Sequence, residues 1–416
     1  MSGSIAAIAA YNGTGTQGHG TTDKQQVGVK SVFWNDYDTG KHFVNGCTVS
    51  EVSSNKGTIE SAETIVFTFD NDIDAISDLE LVVEVNTVQT ASSNPLASWW
   101  MSLLIERVEI CVGNQVISTI NTAGLIKSFI DAKNPSFYVN KKLVTGIAAG
   151  TTYDPAEPIS STFKLPIFNT LDNDVDCSYL MGLANNQTLQ VKVYPQNLTK
   201  DGFNENTVSS YLAALGSKFT FRLFANKCTM TNAERNLLKN QVVPKRTNIT
   251  QSATTILPNN TTTTPPTTYE FEEGKSITIN CDHFNIYADA LYVVAAEMKG
   301  GVLEAFDIEV FLNSSSYSGI LPPEITQKLN AEHYASATMY ADDVYYYKIP
   351  LANLAMSKDQ DFVPLGKYDS IRVVLTPTLS STPTDTTETF KNTLSVIATG
   401  KTTSFYQNGA VTFTTF

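Results

Sequence analysis

Apolar and polar positions alternate along this chain in short blocks, most of them no longer than a strand. Residues 31–34 and 64–69 carry β-branched and aromatic side chains. Residues 79–85 are apolar apart from Glu80 and Glu84, as in a sheet strand covered on both faces. Residues 107–111 and 115–120 flank Gly113-Asn114, a hairpin signal. The same pattern predicts strands at 162–165, 189–194 and 219–224, and again at 276–280, 291–296, 306–312, 344–349, 370–375, 393–398 and 410–416. Two stretches break it. Leu125, Ile126, Phe129 and Ile130 predict a short helix over 122–130, stopped by Pro135. Residues 231–239 form the second: Thr231 or Asn232 can cap it, and Glu234 in its first turn suits the helix dipole. Many short strands, long loops and few helices indicate an all-β protein of antiparallel sandwiches.

The second helix sits between two strand-rich halves, which places the domain junction there. Residues 1–26, rich in Gly, Thr and Ala, read as an extended N-terminal arm. A first sandwich is expected over 27–227, a junction helix and linker over 228–240, and a second sandwich over 241–416. Residues 133–158 form a long loop region broken by Pro135, Pro155 and Pro158. Two Thr/Pro inserts, 257–268 and 377–387, are expected as exposed loops, because Pro removes ladder donors and Thr adds little apolar area. No letter-for-letter repeat relates the halves.

Composition narrows the function. The 416 residues are 42% hydrophobic, enough for two cores, yet only 17% are charged, with Thr, Ser and Asn filling the difference. Asp plus Glu number 41 against 28 Lys plus Arg, and the net charge of −13 repels phosphate and anionic lipid. Direct nucleic-acid binding is therefore not expected, and Lys239, Lys245 and Arg246 read as a solvated linker. Cys47, Cys111, Cys177, Cys228 and Cys281 are odd in number, widely spaced and without CxxC, so unpaired thiols in a reducing compartment are expected. Residues 1–10 lack the basic flank of a signal peptide, and no apolar run approaches membrane-spanning length.

Candidate chemistry is sparse. Cys281 and His283 lie two apart in a strand-like run, but no second pair completes a zinc site. Asp70, Asp72, Asp74 and Asp172, Asp174, Asp176 have calcium-loop spacing. The glycine an EF-hand needs is Ala75 or Cys177, however, and its closing glutamate is Leu81 or Leu183. An EF-hand is excluded, and only an irregular calcium site stays open at either stretch. No nucleophile motif, phosphate loop or dinucleotide fingerprint occurs, so no catalytic residue, metal or cofactor is assigned. Sequons stand at Asn12, Asn186, Asn197, Asn248, Asn259, Asn260 and Asn313, as many as an Asn- and Thr-rich composition yields by itself. Trp99, Trp100, Tyr345, Tyr346 and Tyr347 are expected in cores or subunit contacts.

The order of segments resembles the double jelly-roll major capsid proteins of large double-stranded DNA viruses. Ser31-Val-Phe-Trp-Asn-Asp-Tyr-Asp-Thr-Gly-Lys-His-Phe-Val44 looks like the family's N-terminal block, and Arg107-Val-Glu-Ile-Cys-Val-Gly-Asn-Gln-Val-Ile117 like its "VElxIGgQxId" hairpin. Leu165-Pro-Ile-Phe168 through Leu189-Gln-Val-Lys-Val193 stands where the family has its "PLxFxF…LIALqyhEVxi" block. Asn232-Ala-Glu-Arg235 resembles the "DxxER" start of the junction helix, and residues 395–416 resemble the closing strand pair, with Asn408-Gly409 at its glycine turn.

The resemblance implies two consecutive eight-stranded antiparallel jelly rolls and a homotrimer forming a pseudo-hexagonal capsomer of an icosahedral shell. It further implies neighbouring capsomers, minor capsid and penton proteins as partners, an internal membrane near the N-terminal arm, a place in the virion, and synthesis and assembly in host cytoplasm. Two other readings stay open. One is a minor capsid or spike-associated protein of the same virus type. The other is a carbohydrate-binding or carbohydrate-active β-sandwich, which would need a cleft lined by exposed aromatics.

Overall fold

The structure is a computed structural model. It describes residues 44–55, 63–70, 73–85, 88–89, 102, 104–131, 152–153, 159–165, 181–195, 219–230, 232, 243–256, 274–296, 303–325, 344–351, 362–379 and 393–413. In chain order the first half contains β1 (Val44–Val52), β2 (Ile65–Thr68), β3 (Ala75–Val85), β4 (Val88–Gln89), β5 (Ile105–Val112), β6 (Gln115–Asn121), helix α1 (Thr122–Asp131), β7 (Thr152–Tyr153), β8 (Ile159–Lys164), β9 (Leu189–Pro195) and β10 (Phe219–Met230). The second half contains β11 (Val243–Ile256), β12 (Ile277–Asn280), β13 (Tyr287–Ala296), β14 (Leu303–Leu312), β15 (Ser315–Leu321), β16 (Val344–Pro350), β17 (Val363–Pro364), β18 (Ile371–Leu379), β19 (Thr393–Gln407) and β20 (Ala410–Phe413).

These strands form two rolls with one wiring. In the first, sheet β1-β10-β3-β8 faces sheet β2-β9-β5-β6. In the second, β11-β19-β13-β16 faces β12-β18-β14-β15, with β17 and β20 added at the margins. Every named pairing is antiparallel, and in each roll the first strand pairs with the last long one, β1 with β10 and β11 with β19. That first-to-last closure over nested hairpins is the jelly-roll arrangement. Period-two sequences build it. In β9, Leu189, Val191 and Val193 point inward between Gln190, Lys192 and Tyr194. In β14, Phe306, Ile308, Val310 and Leu312 are buried, while Asp307 and Glu309 stand outward and half-buried.

The turns obey local chemistry. Gly113 between β5 and β6, and both Asn408 and Gly409 between β19 and β20, have positive φ, as tight hairpins require. The expected helix over 122–130 is α1. Asn121 Oδ1 accepts the Gly124 N–H at 2.9 Å as its N-terminal cap. Of the expected junction helix only Asn232 is described, and it is helical.

Three expectations need correction. Lys245 and Arg246 do not lie in a linker: they pair with Ser404 and Thr403 inside β11, a strand too polar to show alternation. Pro377 is not loop but a buried residue of β18, opposite Phe306. Its carbonyl accepts the Gly274 N–H at 3.2 Å. The missing proline donor points the same way, past the end of the β12 ladder at Ile277 and Leu375, so no ladder bond is lost. Finally, the cysteines are not all unpaired. Cys228 is disulfide-bonded, and the residue in register with it on β1 is Cys47. The long separation that argued against pairing is closed by the first-to-last strand pairing. Cys111 and Cys281 are free and buried.

Candidate assembly surfaces

The structure scatters the candidate chemical residues. Cys281 is wholly buried, whereas His283 is exposed, edge-on to Phe284 and 3.1 Å from the Ser252 carbonyl through Nε2. Burial pushes the Cys281 thiol up to about 12, with Asp282 adding to the rise. Asp74 is buried and Asp70 exposed, while the stretch with Asp172, Asp174 and Asp176 lies outside the described residues. Among the described residues no group of three or more His, Cys, Asp or Glu is placed to hold a metal ion. No described helix is long and apolar enough to cross a membrane.

Trp99 and Trp100 lie outside the described residues, as do Asn12, Asn197, Asn259 and Asn260. Tyr345, Tyr346 and Tyr347 are consecutive in β16. Tyr347 is buried in the second core, edge-on to Phe306 at 6.4 Å between ring centres. Asn248 pairs with Lys401 along β11. Asn313 sits at positive φ in the β14–β15 turn, its Oδ1 accepting the Asp369 N–H at 2.9 Å. Asn186 is already engaged: its N–H and Nδ2 donate to the carbonyls of Gly409 and Asn408 at 2.8 and 3.1 Å.

Those last bonds belong to a contact between the rolls. The β19–β20 turn of the second roll reaches residues 185–187 of the first, where Gln187 Oε1 also accepts the Val411 N–H at 2.7 Å. The larger part of the contact lies between β6 and α1 of the first roll and β11, β13 and β19 of the second. Ser118 donates to the Thr250 carbonyl at 3.4 Å, and Lys127 Nζ lies 4.0 Å from the centre of the Tyr292 ring. The covered surface is the outer face of β11-β19-β13-β16. Ala290, Tyr292, Val294, Ser395 and Ile397 stand outside that roll's own core, yet each is at most 6% exposed. Sequence reasoning missed this surface, because a residue buried against a second domain reads like one buried in its own.

Among the described residues the matching outer face of the first roll, on β1-β10-β3-β8, is the more open one. Val49 is 70% exposed, and Val82 and Phe224 are half-buried. Arg222 bridges two carboxylates there, 2.8 Å from Glu51 and 3.1 Å from Glu84, with its guanidinium over the Phe224 ring. Hydrogen bonding to Arg222 holds the Glu51 carboxyl below its ordinary value. On the other sheet of this roll, Glu109 accepts from Arg107 Nε at 2.9 Å and from the Tyr194 hydroxyl at 2.8 Å. Among the described residues the large exposed apolar side chains are Val49, Val116, Tyr317, Ile320 and Ile325. Only one of them is aromatic, and its hydroxyl is committed to the Leu351 carbonyl, so they form no aromatic-lined cleft for a sugar.

Two jelly rolls in tandem, wired alike and packed sheet face against strand edge, define a double jelly-roll protein. No family model and no curated protein sequence matches the chain. Solved structures do. A quasi-atomic model of the PBCV-1 virus capsid superposes with a TM-score of 0.59 at 12% identity, covering 90% of this chain and 98% of that one. The Faustovirus major capsid protein gives a TM-score of 0.51 at 9% identity, over 89% and 92% of the two chains. The Sputnik virophage structure gives 0.52 at 11% identity, over 90% and 89%. The likeness at these identities is one of fold, and it runs through both rolls.

Proposed function

We propose that this protein is a structural capsid subunit that self-assembles into pseudo-hexagonal homotrimers, which tile an icosahedral virus shell. The observation that carries the reading is the tandem of two like-wired jelly rolls, matched over 90% of this chain and 98% of a virus-capsid chain. The open outer face of the first roll supports it, since the same face of the second roll is closed. In this reading the protein acts by binding copies of itself and is not an enzyme. Its place is the virion, after synthesis and assembly in host cytoplasm. Neighbouring capsomers, minor capsid and penton proteins are its other partners. Residues 1–26 lie at the base of the capsomer, near an internal membrane, and the Thr/Pro insert at 257–268 projects outward.

Negative-stain electron microscopy of the purified protein, with sedimentation velocity, tests the proposal. Flat particles of hexagonal outline at three times the 45.4 kDa chain mass are expected. A stable monomer at micromolar concentration sinks it.

A further inference from the structure

Because the two rolls share one wiring, each surface of one has a counterpart in the other. Strand β6 corresponds to β15: each follows its hairpin partner through a two-residue turn, with Val112 paired to Gln115 and Leu312 to Ser315. Strand β11 corresponds to β1, as the strand that closes each roll against its last long one. Within the chain β6 packs against β11 of the second roll, where Ser118 reaches the Thr250 carbonyl, and Ile117 and Ser118 are buried. Among the described residues its counterpart β15 is a sheet edge on which no further strand pairs. Tyr317 is 45% and Ile320 68% exposed, and Ile325 just beyond is 44% exposed. From Asn313 to Pro323 there is no charged residue. Free edges ordinarily carry guarding charges against pairing with another chain. The counterpart of the covered face, meanwhile, is the open face with Val49.

A single chain therefore carries one closed contact and the two unmatched halves of a second. We propose that the β15 edge, with Ile320 and Ile325, docks on the outer face of β1-β10-β3-β8 of a second copy of this chain. The contact between chains then repeats the one that joins the rolls within a chain. The inference rests on the trimer proposed above and gives it a direction. Each copy presents β15 forward and β1 backward, a head-to-tail arrangement that closes into a ring. The docking face is prepared for cover, since Arg222 already neutralises part of the Glu51 and Glu84 charge; the carboxylates nearest the edge, Glu309 in register with Ile320 and Glu324 beside Ile325, lie at its flanks.

The test uses full-length Ile320→Asp and Val49→Asp. Both positions are mostly exposed, so each variant is expected to keep the far-ultraviolet spectrum and melting point of the parent. In sedimentation velocity each variant should run as monomer where the parent runs as trimer, with at least a tenfold rise in dissociation constant. An equimolar mixture should recover dimers, because the I320D chain keeps Val49 and the V49D chain keeps Ile320. Variants that stay trimeric overturn the assigned surface and leave the trimer standing. A mixture that stays monomeric overturns the head-to-tail direction. A monomeric parent overturns the trimer, and this contact with it.

Discussion

Ile397 separates two accounts of how the rolls are held. It and Val396 are neighbours in β19, and both are 0% exposed, but they face opposite ways. Val396 lies in the core of the second roll, and Ile397 lies on the outer face beneath the first. Ile397→Ala removes three carbon groups worth about 0.8 kcal/mol each on transfer from water. With the cavity left behind, the expected loss is about 2–4 kcal/mol. If the first roll did not cover Ile397 in solution, the side chain would be exposed and the loss would stay within about 0.5 kcal/mol. Urea unfolding at fixed protein concentration, followed by circular dichroism, reads the difference as a shift in midpoint at constant slope. Val396→Ala serves as reference, since its loss, about 1–3 kcal/mol, depends only on the second roll. A loss below 0.5 kcal/mol for Ile397→Ala beside a normal loss for Val396→Ala would refute the packing of the rolls described above.

Other positions give sharp outcomes. A side chain at Gly400 would place its Cβ 1.8 Å from the Tyr287 carbonyl oxygen, which no rotamer relieves, so Gly400→Ala should yield insoluble protein on expression. Gly409→Ala meets Asn186 Nδ2 at 2.5 Å and sits at φ +77°, so a loss of about 1–3 kcal/mol in urea unfolding is expected. Cys281, its thiol pushed up to about 12 inside the core, should resist iodoacetamide at pH 8 in folded protein and react once unfolded. Glu51 is held below its ordinary value of 4.5, so its link to Arg222 stabilises the fold above that pH and is lost as pH falls through the lowered value. Stability should accordingly drop below about pH 4.5 more steeply in the parent than in Glu51→Gln; equal slopes would show the bridge is screened away by solvent.

The legible parts of the fold were those where period-two alternation coincides with one buried face. Leu189, Val191 and Val193 announce β9, and Gly113-Asn114 and Asn408-Gly409 announce their hairpins. Strand β11 was hidden because its sequence from Lys245 to Thr255 is mostly Thr, Asn, Gln and Ser, and its place comes from fourteen residues of pairing with β19. Strand β15 was hidden for a related reason, since Tyr317, Ser318 and Gly319 alternate nothing and fall in an irregularity of the pairing with β14. The pairing at Cys228 was invisible because spacing along the chain does not report that first and last strands are neighbours. Trp99, Trp100 and most of the sequons fall outside the described residues, and the roles assigned to them remain expectations from sequence.

The composition sets a difference between the two kinds of contact. Inside the chain the covered face presents Ala290, Tyr292, Val294, Ser395 and Ile397, and its nearby charges, Lys127 and Lys348, lie over the Tyr292 ring. Its polar groups are partnered across the contact, as Ser118 is with Thr250 and Lys127 with Tyr292, and the rest behaves like a core cut in two. The face proposed to meet a second copy carries Glu51, Glu84 and Arg222, with Glu51 and Arg222 more than a third exposed. Covering those groups strips water from three charges already paired with one another, so little new Coulomb energy offsets the desolvation. The proposed contact between chains is therefore expected to be the weaker one, sustained by Val49, Ile320 and Ile325 at its margins. Under the proposed function, a shell built from such subunits would keep its two rolls joined while its subunits exchange partners before the lattice closes. The Arg222 bridge also sets the salt response. Screening an ion pair within one chain barely alters the gap between free and docked states, so dissociation constants should change less than tenfold between 0.05 and 0.5 M salt. A steep salt dependence in sedimentation would mean that cross-chain ion pairs, rather than the apolar edge, hold the subunits together.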